Sequence, residues 1–227
     1  MNKEVLDLMP RIKELHESGE NIIQYFKDQD GRVLNSIQDI LISYDFQSGS
    51  YIKGIEKNKE YSNAYTKLLA DVINDLGIFE NIIEVGVGEA TTLGNVIPKI
   101  KKNQFLEAYG FDISWSRIHL GNQYLNKIGV DANLFVSDLF NIPLSDSSID
   151  IVYTSHSIEP NGGREKEAIE ELYRVAKKYL VLLEPTYEFA STEGQKRMQA
   201  NGYVQNLEKT IKELGYDLID YKPFEVV

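Results

Sequence analysis

The chain has 227 residues, with 24 Lys plus Arg against 35 Asp plus Glu, a net charge of −11 and no cysteine. That length suffices for one domain with an appendage and a full hydrophobic core. The lack of thiols excludes disulfide frameworks, Cys-ligated zinc, iron–sulfur clusters and thiol nucleophiles.

Nine basic and 14 acidic residues fall in positions 1–80, and 15 and 21 in 81–227, so no basic half hides behind the sum. Neither nucleic acid nor an anionic membrane surface is expected as a partner. The densest basic groups, Lys99, Lys101 and Lys102 and then Lys177 and Lys178, sit near helix ends or turns, where they complement helix dipoles. No apolar run reaches the roughly 18–20 residues of a spanning helix. The opening MNKEVLDLMP is charged and amphipathic, unlike a secretory signal. Together with the missing cysteines, this gives a cytoplasmic location as the expectation.

The first 76 residues read as a helical cap. Val5, Leu8, Ile12 and Leu15 fall at helical spacing, as do Ile22, Ile23 and Phe26, and then Val33, Ile37, Ile40 and Leu41. A longer stripe from Tyr61 to Leu76 stops at Gly77. Between them, residues 43–52 are aromatic and Gly/Ser-bearing without a period, and read as a loop or a broken helix.

From residue 77 the texture alternates. Strands are predicted at Asn81–Val85, Glu107–Asp112, Ala132–Val136, Ile149–Tyr153, Tyr179–Leu183 and Asp217–Tyr221. Helices are predicted at Thr91–Ile100, Ser114–Ile128, Gly163–Ala176 and Tyr203–Leu214. Short apolar strands alternating with helices indicate an α/β fold, a doubly wound and mostly parallel sheet. Ligands of such sheets bind beyond the carboxyl ends of the strands.

The most informative residues lie at those ends. Ile82-Ile83-Glu84-Val85-Gly86-Val87-Gly88-Glu89-Ala90-Thr91 follows a strand and opens a helix. Gly86 and Gly88 allow a tight turn and close ligand approach, and Ala90 keeps that approach open. Asp112 ends the next strand, where a carboxylate can accept both hydroxyls of a ribose. A dinucleotide site shares this layout, but it wants Gly or Ala where Thr91 stands and needs no acid at Glu84. A strand-end acid suits a ligand bearing an ammonium or sulfonium. Taken singly, Asp112 and Asp138 read equally well as helix N-caps, and Thr91 and Thr92 as caps or cofactor contacts. Asp150 reads as structural, a charge at the start of a strand.

The pattern Glu84-x-Gly86-x-Gly88-x-Ala90 resembles motif I of class I S-adenosylmethionine-dependent methyltransferases. Asp112 matches that family's ribose-binding acid. The stretch from Val136 to Asp150 resembles its next block, which implies that Asp138 holds the adenine amino group with Leu139 beside the ring. Ser155-His156-Ser157-Ile158-Glu159-Pro160 falls at the family's strand-four loop, and residues 167–185 match its following helix and strand. The resemblance covers about residues 78–185. It implies a Rossmann-like methyltransferase sheet and S-adenosyl-L-methionine as cofactor, bound by Glu84, Gly86, Gly88, Ala90, Asp112, Asp138, Leu139 and Ser155.

On the acceptor side, His156 is the one histidine placed to act as a base or to shape the pocket, with Glu159 able to pair with it. Tyr44 and Tyr51, around Gly49, and Tyr187 after the fifth strand are candidate acceptor contacts as a group, although any single one of them is more often a core aromatic. The strand-four loop lacks the Asn/Asp-Pro-Pro-aromatic motif of enzymes that methylate bases or glutamine, which points to a small-molecule acceptor. Similar short family members O-methylate sugars or modify phosphoramidates of bacterial surface polysaccharides. No metal site is expected. The alternatives are an NAD(P)-dependent oxidoreductase on a Rossmann sheet and a non-catalytic module with a methyltransferase fold. After Asp217–Tyr221 only six residues follow, so the family's seventh strand is expected to be absent or truncated.

Overall fold

The computed structural model describes residues 3–101 and 106–226, with side chains from Leu8 onward; Lys102 and the side chain of Val5 lie outside the described residues. Five helices lead: α1 (Lys3–Ser18), α2 (Ile22–Asp30), α3 (Ile37–Phe46), α4 (Ser50–Lys57) and α5 (Lys59–Asp75). The segment read as a loop or broken helix is the latter. Gly49, at φ +92°, turns the chain between α3 and α4 in a conformation that costs glycine little. Ile12, Leu15 and Ile22 form a small core of their own with Phe26 and Phe46. Helix α5 instead packs into the core of the sheet through Leu69, Ala70 and Ile73.

The sheet contains β1 (Asn81–Val85), β2 (Glu107–Asp112), β3 (Asn133–Val136), β4 (Ile149–Ser155) and β5 (Ala176–Leu183). All pairs are parallel and the order is β3-β2-β1-β4-β5. Between them come α6 (Thr91–Val96), α7 (Trp115–Ile128) and α8 (Glu165–Val175), followed by α9 (Thr192–Ala200) and α10 (Leu207–Glu213). Strand alternation sends Ile82 into one core with Leu93, Ile118 and Leu125, and Ile83 into the other with Leu172 and Val175. Both faces are therefore covered, and that is why the strands are apolar almost throughout.

The order reverses between β1 and β4, which opens a crevice at their carboxyl ends. Register brings Val85 level with Phe111 on one side and Thr154 on the other, so Glu84, Asp112 and Ser155 converge there.

Two expectations at the carboxyl-terminal end need correction. Asp217–Tyr221 does not form a sixth strand. Its side chains anchor it instead. Tyr221 stacks on Phe189 at 4.9 Å, and Phe224 meets Tyr65 edge-on at 5.5 Å within the core, while Ile219 is 78% exposed. The helix read over Tyr203–Leu214 starts only at Leu207, and α9 was not foreseen. Among the described residues, no helix is long and apolar enough to cross a membrane.

Candidate active site

A cleft open to solvent occupies the crevice, lined by the carboxyl ends of β1, β2 and β4 and by α3 and α4. Its floor is the turn after β1. Gly86 and Gly88 both have positive φ. A Cβ on Gly86 would come within 2.3 Å of the Cβ of Ser157, and one on Gly88 within 3.2 Å of Arg117 Nη1. The glycines therefore keep open a cradle that any side chain would fill. Ala90, also at positive φ and fully buried, caps α6 beneath the cradle and does not line the cleft.

Glu84 is only 2% exposed and lines the cleft. One carboxylate oxygen accepts a hydrogen bond from the Tyr153 hydroxyl at 2.9 Å. Burial pushes its carboxyl up to about 8, and the Tyr153 bond opposes this only in part. A carboxyl in that state lacks a cation. Asp112 accepts from the backbone amides of Gly88 (3.0 Å) and Ser114 (2.8 Å), which ties the turn to the start of α7. Burial raises its pKa as well. Asp138 and Leu139 line the far wall, with Asp138 accepting from the Phe140 amide at 3.0 Å. Ser155 also lines the cleft, and its hydroxyl shares a 2.6 Å hydrogen bond with Tyr65 of α5.

The strand-four loop is held by Glu184 at the end of β5. Its carboxylate accepts from the amides of Ser157 (3.0 Å), Ile158 (3.3 Å) and Glu159 (3.2 Å). Burial pushes that carboxyl up to about 7. The clamp presents His156 at φ +56°, a backbone state that favours glycine and concentrates at functional sites. His156 lines the cleft with its side chain 54% exposed, and its Nδ1 lies 3.2 Å from Glu159 Oε2. That hydrogen bond holds the imidazole pKa above its usual value.

Residues 82–179 match the family model of a methyltransferase domain. Over that segment the chain is similar to a methyltransferase domain. Solved structures agree on the fold. A candidate methyltransferase from Bacillus halodurans aligns at a TM-score of 0.56 and 17% identity, over 68% of this chain and 70% of that one. The YcgJ protein of Bacillus subtilis gives 0.53 and 16%, over 66% of each chain. The [4+2]-cyclase SpnF gives 0.56 and 16%, over 68% and 58%. The chain thus spans just under two thirds of the length of YcgJ. No curated protein matches it.

The cofactor that these likenesses imply is S-adenosyl-L-methionine. The chain's own residues fit it. Among the described residues Glu84 is a buried carboxyl without a cation and the buried Ser157 hydroxyl lacks a partner, while the Gly86–Gly88 cradle admits close approach. Glu84 would hold the ammonium, Asp112 the ribose hydroxyls, and Asp138 with Leu139 the adenine.

Of the acceptor candidates, Tyr44 and Tyr51 line the cleft, while Glu159 reaches it only through His156. Tyr187 does not line it. Its hydroxyl accepts from Gln199 and its carbonyl from Gln195, which engages it with α9. Glu89 and Arg117 are cleft residues absent from the sequence-based set. Glu89 accepts from the amides of Gly49 (2.8 Å) and Ile52 (2.9 Å), so it caps α4 across the cleft and latches the helical segment to the glycine turn. Only the acidic residue inside the turn, beside Gly88, hinted at that role.

Proposed function

We propose that the chain methylates a hydroxyl of a small polar molecule, with His156 as general base and Glu159 as its orienting carboxylate. The bound cofactor supplies a sulfonium methyl, an electrophile that needs an aligned nucleophile more than covalent help. The methyl would pass to the acceptor oxygen as its bond to sulfur breaks and the neutral thioether leaves, and His156 Nε2 takes the proton of the acceptor hydroxyl. Glu159, at Nδ1, fixes the opposite tautomer and supports the resulting imidazolium. Tyr44 and Tyr51 roof the acceptor side, and Glu184 keeps the loop in register.

The observation that carries this reading is the His156–Glu159 pair, in a strained loop conformation at the mouth of the cofactor cleft. Sugars and phosphate or phosphoramidate precursors of bacterial surface polysaccharides, present in the cytoplasm, are the first acceptors to screen.

With an acceptor in hand, His156→Ala should lower kcat by about 10²–10⁴-fold. The Kd of S-adenosylhomocysteine should stay within about threefold. Neutral imidazole is the active form, and its pKa is raised, so kcat should climb with pH above 6.5. Glu159→Gln should move that limb to lower pH. An unchanged kcat in His156→Ala would sink the assignment of the base.

A further inference from the structure

Arg117 stands in the first turn of α7 and is only 5% exposed. Its guanidinium carbon lies 4.7 Å from the ring centroid of Tyr44 and 4.7 Å from that of Tyr51. The two rings, from α3 and α4, thus both flank the cation. Nε donates to the Tyr44 carbonyl at 3.0 Å, which fixes the plane of the fork. Nη1 lies over Gly88. Nη2 is buried and has no hydrogen-bond partner among the described residues. The Asp112 carboxylate is near enough to feel the charge of Arg117, but no described carboxylate hydrogen-bonds to it. The residue lines the cleft.

A buried guanidinium with no carboxylate in direct contact is unfavourable unless something supplies one. Aromatic faces offset part of the cost and leave the in-plane donors unsatisfied. Arg is also the side chain whose planar fork best matches carboxylate and phosphate oxygens. Resting on the methyltransferase reading above, we infer that the Arg117 guanidinium is an anion-docking point for a cleft ligand, receiving a carboxylate or phosphate oxygen. Two sources share this chemistry. One is the carboxylate on the aminoacyl end of the cofactor. The other is an anionic group on the acceptor.

The test uses the full chain and three probes: S-adenosylhomocysteine, its decarboxylated analogue, and inorganic phosphate added to the homocysteine complex. Arg117→Gln and Arg117→Lys are compared with wild type by calorimetry and thermal shift. If the cofactor carboxylate docks here, Arg117→Gln weakens S-adenosylhomocysteine by about 10–100-fold and the decarboxylated analogue by less than threefold. Arg117→Lys should recover part of that affinity. If the acceptor supplies the anion, both nucleosides bind the variant alike, and phosphate raises the melting temperature of the wild-type complex but not that of the variant.

Equal losses for both nucleosides, with no phosphate effect, would overturn the inference. Should Arg117→Gln fail to fold, wild type alone still decides. A protein that neither prefers the carboxylated nucleoside nor responds to phosphate has no anion site at Arg117. Failure of wild type to bind S-adenosylhomocysteine at all would instead refute the methyltransferase reading.

Discussion

Glu84 and Asp150 make an instructive pair. Both are strand acids and both are 2% exposed, yet they sit at opposite ends of the same sheet. At the amino end, Asp150 accepts from the Glu80 amide (2.9 Å) and Lys178 (2.9 Å), with Lys177 at 3.5 Å. Burial pushes its carboxyl up, but the amide and the two lysines outweigh that and hold it below its usual value. At the carboxyl end, Glu84 has a neutral tyrosine and no cation, and burial wins. The charge states differ because Asp150 lies near the surface beside two lysines, whereas Glu84 lies deep and beside no cation among the described residues. The charge-paired end of the sheet is structural, and a ligand bringing its own positive charge would suit the end without a cation.

The contrast breaks most clearly under isosteric neutralisation. Glu84→Gln should weaken S-adenosylhomocysteine by about 10²-fold, the worth of a hydrogen bond to a charged partner. The ligand-free variant should melt no lower than wild type, because the native carboxyl is already held neutral. Calorimetry and thermal denaturation on the same sample measure both. A variant with wild-type affinity would remove Glu84 from the ammonium site.

Asp150→Asn should do the reverse. Losing one partner of a buried ion pair can be strongly destabilising, but Lys177 and Lys178 are substantially exposed and screened, so about 1–2 kcal/mol is expected. Denaturant unfolding reads that loss, and cofactor affinity should not change. A weakened cofactor site in Asp150→Asn would mean that the two ends of the sheet are not independent.

How far the site was legible in the sequence follows the same division. Parallel strands covered on both faces must be apolar runs, and the glycine turn must lack side chains, so β1 to β5 and their terminal acids announce themselves locally. Glu84, Asp112 and Asp138 are readable because backbone position alone brings them to one edge. Arg117 is not. In the sequence it is one basic residue in an amphipathic helix, and its burial comes from Tyr44 and Tyr51, some 70 positions away. Helix α9 carries a single buried apolar residue, Met198, so it offered no period to detect. The expected sixth strand failed for the opposite reason. Its apolar residues were visible, but aromatic anchoring at Tyr221 and Phe224 replaced backbone pairing.

The smallest effect is the pH dependence of stability, and here the two acids act with opposite sign. Asp150 has a depressed pKa, so its contribution is present above the unfolded value near 3.8 and is lost in acid. Glu84 releases its proton near 4.5 when unfolded and near 8 when folded without ligand. Between those values the native state holds more protons than the unfolded one, so stability falls as pH rises. Glu184, raised to about 7, acts in the same direction. One such group changes stability by at most about 1.4 kcal/mol per pH unit. The melting temperature of the ligand-free protein should therefore decline between pH 5 and pH 8. Glu84→Gln should flatten that slope, and Asp150→Asn should leave it in place. Saturating S-adenosylhomocysteine should flatten it too, because its ammonium holds Glu84 ionised in the folded state. That ionisation also requires proton release on binding, visible near pH 7 as a calorimetric enthalpy that varies with the buffer. A slope equally steep with and without ligand would place the titrating group away from the cofactor.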